Sequence, residues 1–129
     1  MKINSLSAQN SFGKIIKELK PESQKQKVLI SLIEQSLEDQ RYKINVLETK
    51  DIDVFISAND DGNSVDLKIL KEKPFLHMPE DEKGKLKVNI HVPPQSFYET
   101  SEAKHRLWGN IKYRTEKFLD RGIMFLAKH

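Results

Sequence analysis

"IDVFISANDDGNSVDLKIL" spans Ile52 to Leu70, and its periodicity decides the fold class. Ile52, Val54, Ile56 and Ala58 alternate with polar residues, and so do Val65, Leu67 and Ile69. A period of two marks a strand with one face buried and one face open. Between the runs stands Asp61-Gly62, a tight-turn pair, because glycine tolerates positive φ. Centring the hairpin there sets Ala58 opposite Val65, Ile56 opposite Leu67 and Val54 opposite Ile69. All three pairs are apolar, as an inward face requires.

Working outward, "YKINVLE" shows Tyr42, Ile44 and Val46 in alternation, and "KLKVNIHV" shows Leu86, Val88, Ile90 and Val92. Both predict strands. A loop centred on Thr49 would pair Val46 with Ile52 and Ile44 with Val54. The sheet predicted is therefore antiparallel and four-stranded, a meander of three plus one, and the fourth strand's neighbour is left open.

Helices are expected at both ends. Val28, Leu29, Leu32, Ile33 and Leu37 recur at three- and four-residue spacing, which predicts a helix over 21–39, with Pro21 suited to an early position. Ser96 and Glu99 form a capping-box pattern after Pro93-Pro94, ahead of a helix reaching at least Arg121. Gly122 is expected to end it with a left-handed cap, though Phe125 and Leu126 would also continue the stripe. Residues 1–20 read as a flexible tail or short helix, and 21–129 as a single α+β domain. The element order occurs in several small α+β folds of unrelated function, so it assigns no activity.

Composition narrows the class. No apolar run approaches the roughly 18 residues a spanning helix needs, so no membrane role is expected. The chain has no cysteine, which rules out disulfides and thiolate zinc sites and suits a cytoplasmic location. The net charge of +3 is unevenly spread. Residues 1–43 carry +3, 44–92 carry −3 and 93–129 carry +3. An acidic partner should therefore meet helices rather than the sheet.

Catalytic and metal motifs are not evident. The four histidines, His77, His91, His105 and His129, make no close helical pair. "SANDDGNSVDLK" places Lys68 where a calcium loop needs a bidentate glutamate. The expectation is a non-enzyme with no cofactor and no metal.

Two surfaces are candidates for binding. Leu47, Phe55 and Leu70 are expected on the outer sheet face, near Phe75, Leu76 and Met78 of the Pro-flanked loop "KPFLHMP". A contiguous apolar patch of that kind marks an interaction site, although the loop could equally fold over Phe55 as a satellite core. The second lies on the last helix, where at 100° per residue Leu107, Trp108, Ile111, Thr115, Phe118 and Leu119 fill one sector of about 120° that should pack on the sheet. Arg106, Asn110, Arg114, Lys117 and Arg121 form another stripe beside Tyr113. Three of the four arginines sit here, and the guanidinium fork binds phosphate or carboxylate in two-pronged fashion. A solvated helix face carries charges too, and Glu102 stands four residues before Arg106. The leading expectation is a protein-interaction module (an adaptor, inhibitor or accessory subunit) with a protein partner. Nucleic-acid binding through the basic stripe is the alternative, and a small enzyme comes third.

Overall fold

The structure, a computed structural model, describes residues 15–18, 20–71 and 85–124. It is α+β, with a four-stranded sheet and three α-helices, the last one long. In chain order these are β1 (Ile15–Lys17), α1 (Gln24–Asp39), α2 (Arg41–Glu48), β2 (Ile52–Ala58), β3 (Ser64–Lys71), β4 (Lys85–His91), a 3-10 turn (Gln95–Tyr98) and α3 (Ser101–Gly122).

The hairpin forms in the expected register. Val54 pairs with Ile69, Ile56 with Leu67 and Ala58 with Val65. Gly62 takes φ 75° at the turn, the left-handed backbone that glycine adopts without strain. β4 continues the inward face from the other side of β3, pairing Ile90 with Val65, Val88 with Leu67 and Leu86 with Ile69.

The sheet is mixed, not antiparallel throughout. Its order is β1-β2-β3-β4, and β1 lies parallel to β2, with Ile15 beside Val54 and Ile16 beside Phe55. Ile15–Lys17 is thus a strand where the sequence predicts a tail or helical turn. Parallel neighbours need a crossover connection, and α1 with α2 supplies it.

The strand expected at Tyr42–Val46 is instead helix α2. Three alternating residues fit either period, and the burial decides between them. Ile44 and Leu47, three apart, are wholly inside, whereas Tyr42 and Val46, four apart, face out at 66% and 43% exposure. Leu47 therefore belongs to the core and not to the outer sheet face. The pairing about Thr49 falls with it.

α1 starts three residues later than expected. Ser23 is its cap: the Ser23 hydroxyl accepts from the Gln26 N–H, and the Ser23 N–H donates to Gln26 Oε1. Gln26 is fully buried, and its amide also donates to the Asn59 and Ser64 carbonyls, each at 2.8 Å. Ser23 Oγ donates to the Gly62 carbonyl. The cap of α1 is thereby fastened to the hairpin turn. The buried stripe runs through Leu29, Ile30, Ile33 and Leu37, while Val28 is 39% exposed.

α3 begins at Thr100, whose hydroxyl caps the Ala103 N–H, and Ser96 lies in the preceding 3-10 turn. Gly122 does not terminate the helix in a left-handed cap. A Cβ there would stand 2.5 Å from Ile69 Cδ1, so the glycine allows α3 to approach β3 closely. Leu107, Ile111, Thr115, Phe118 and Leu119 are buried as expected.

The helical assignment of 41–48 makes a specific claim about neighbours in sequence. Ile44→Ala should destabilise by about 2–5 kcal/mol, the usual range for emptying a buried site. Val46→Ala should change stability by less than about 0.5 kcal/mol, as exposed positions do. A strand would show losses at both, and urea denaturation of the two variants separates the cases.

Candidate functional site

Among the described residues, one face of α3 packs into the core, through Leu107, Ile111, Thr115, Phe118 and Leu119. The face between α3 and the α1–α2 junction encloses a groove of about 530 Å³. Trp108 and Tyr113 of α3 and Tyr42 of α2 give it aromatic walls, and Ser36 and Gln40 of α1 and the junction contribute polar groups. Trp108, expected in the core, is only partly buried there and lines the groove with its remaining surface.

A hydrogen-bonded floor holds the groove's geometry. Thr115 Oγ1 lies 3.0 Å from the Ile111 carbonyl, to which it donates. Ser36 Oγ meets the same hydroxyl at 2.6 Å, and Gln40 Nε2 reaches both Thr115 Oγ1 and the Ser36 carbonyl. Ser36 and Thr115 are completely buried, and such satisfied polar groups fix one packing of α1 against α3. Gln40 Oε1 is buried without a partner among the described residues.

Gly109 lies in the middle of α3 on the groove side and is exposed. Glycine inside a helix costs about 1 kcal/mol relative to alanine. At Gly122 that cost is offset by close packing. At Gly109 a Cβ would meet nothing within 4 Å, so no contact among the described residues requires the glycine.

Charges on α3 divide unequally. Glu102 pairs with Arg106 at 3.3 Å. Glu116 and Asp120 both face Lys43 of α2, at 3.9 and 2.7 Å. Burial pulls the Lys43 pKa down, but the hydrogen bond and charge of Asp120, helped by Glu116, outweigh it, and the net shift is upward. All three carboxylates of the helix are thus engaged within the fold. Lys112, Arg114, Lys117 and Arg121 have no carboxylate within 4 Å among the described residues. Lys112 lies over the Trp108 ring at 5.9 Å and Lys117 over Tyr113 at 5.3 Å, while Arg114 donates to the Asn89 carbonyl.

The residues expected in the basic stripe therefore do share a surface. Arg106, Asn110, Tyr113, Lys117 and Arg121 are exposed, and Arg114 is half-buried beside β4. The apolar patch expected on the outer sheet is not assembled in the same way. Phe55 and Leu70 are half-buried there, with Lys68 over the Phe55 ring at 5.6 Å, and Leu47 lies in the core. Phe75, Leu76 and Met78 lie outside the described residues. Also on the outer face, Asp66 accepts from Asn89 and Asn59 and pairs with Lys87.

Among the described residues no three His, Asp or Glu side chains lie close enough to hold a metal ion. No helix among them is long and apolar enough to cross a membrane. Comparison with protein-family models, curated proteins and solved structures found no match.

The raised Lys43 pKa fixes the sign of a pH effect. Its contribution is complete below the unfolded value, about 10.4, and is lost as pH climbs through the higher folded value. At neutral pH, Asp120→Asn should lower stability by about 0.2–1 kcal/mol, since Asp120 is partly exposed. Thermal melting of wild type and variant should show this difference present at neutral pH and shrinking as pH rises above about 10.4.

Proposed function

We infer that the chain is a non-enzymatic protein-interaction module that receives an apolar helical segment of a partner protein in the groove beside α3. The observation that carries this reading is Gly109. It is a mid-helix glycine with no packing role among the described residues, placed where a partner's backbone would approach. The residues around it are of the kinds that dominate protein interfaces. Trp108, Tyr113 and Tyr42 offer large rigid surfaces, with Tyr42 and Tyr113 66% and 58% exposed. Asp39, Lys112 and Glu116 surround them with polar groups, as an interface rim does. Helix-in-groove binding relies on such an arrangement, in which side chains of one helix enter a cleft between others. The lack of cysteine suits work in a reducing cytoplasm.

Photo-crosslinking tests this in the native host. A benzophenone side chain placed at Tyr113 should yield a protein adduct, and Gly109→Leu in the same chain should abolish it. The same probe at Leu70, on the outer sheet, should yield none. Adducts only from Leu70, or a Tyr113 adduct that survives Gly109→Leu, would contradict the groove as the docking site.

A further inference from the structure

We propose that α3 carries a second binding site, for the sugar-phosphate backbone of single-stranded nucleic acid, on the stripe Arg114, Lys117 and Arg121, which adjoins the groove and shares Tyr113 with it. This does not rest on the groove reading. At 100° per residue the stripe from Arg106 through Arg114 occupies an arc of about 80°, on the other side of Tyr113 from Trp108 and Lys112.

Charge complementarity argues for a polyanion. A helix face that is merely solvated mixes signs, and its acids and bases pair along the surface. In α3 two of the three acids are drawn toward another helix, and the third pairs only with Arg106 at the N-terminal end of the stripe. Asp120 and Glu116 are held by Lys43 of α2, and Glu102 is held by Arg106. Lys43 thus offsets one of these two negative charges and turns both carboxylates toward α2. Arg114, Lys117 and Arg121 keep their charge without a carboxylate within 4 Å among the described residues. They span about 10 Å along the helix, the reach of two or three phosphates.

Tyr113 argues for a nucleic acid rather than an acidic peptide, and for a single strand. The residue is 58% exposed, and its ring already has a cation, Lys117, at 5.3 Å from the centroid. An exposed aromatic beside a basic track is how unpaired bases are stacked while the backbone is neutralised. In a duplex the bases are stacked on each other and the ring would have no partner. Arginine also outweighs lysine here, and its fork suits phosphate.

Fluorescence anisotropy with labelled oligo-dT and oligo-U tests the proposal on the whole chain. Wild type should bind, with affinity falling as salt rises. The triple variant Arg114→Gln, Lys117→Gln, Arg121→Gln should bind at least tenfold more weakly at low salt. Its log-log salt slope should be shallower by up to about 2, from roughly 0.7 per phosphate contact. A control with the same charge change, Lys25→Gln, Lys27→Gln, Lys50→Gln, should bind nearly as wild type, and circular dichroism verifies that both variants are folded. Tyr113→Ala should weaken binding about fivefold or more and leave the slope unchanged. The proposal is overturned if wild type does not bind, if the two triple variants lose affinity equally, or if Tyr113→Ala has no effect. It is also overturned if a duplex of equal length binds more tightly or if polyglutamate competes as well as the oligonucleotide.

Discussion

The inner faces of β2 and β3 must be covered, and most of the structure follows from how that is done. Val54, Ile56, Val65, Leu67 and Ile69 are all at 0% exposure, side by side in one hairpin. A hairpin alone cannot hide such a surface from water. α1 is brought onto it by its own cap, because Gln26 closes the Ser23 capping box and donates to the hairpin carbonyls as well. α2 then inserts Ile44 and Leu47, and α3 approaches Ile69 through Gly122. The single buried cluster that results draws on every helix and on β2, β3 and β4.

One consequence is that α3 is held by a narrow stripe, and much of its circumference is exposed among the described residues. Its 22 residues bury Leu107, Ile111, Thr115, Phe118, Leu119 and Gly122. The Ser36–Thr115–Gln40 floor and the Lys43–Asp120 pair anchor the helix laterally against α1 and α2. These anchors do two things at once. They fix the aromatic groove on one side, and they withdraw carboxylates from the vicinity of the cations on the other. α3 thereby carries an aromatic surface and a basic surface on adjoining flanks that meet at Tyr113.

The hairpin register and β4 were legible in the sequence because alternation over seven or eight residues admits only one period. "YKINV" was not, since Tyr42, Ile44 and Val46 also fit a helix whose buried positions are Ile44 and Leu47. β1 was hidden for a related reason: three residues are too few for a period, and their pairing with β2 is a long-range fact. The start of α3 is ambiguous in the sequence because Ser96 and Thr100 are both competent caps, and the choice depends on where the chain leaves Pro94. The basic stripe could be drawn from helical geometry alone. The groove could not, because it needs the end of α1 beside the middle of α3. Its one sequence signal was Gly109, an isolated glycine within a strong helical pattern.

That glycine is where the account is most exposed to test. If Gly109 is kept for a partner and not for the fold, adding a methyl group should help the isolated protein. Urea denaturation of Gly109→Ala should show a gain of about 0.5–1 kcal/mol over wild type, the difference in helix propensity with no clash to offset it. Equal or lower stability would mean that the fold itself needs the glycine, and the case for a groove held open for another molecule would fail.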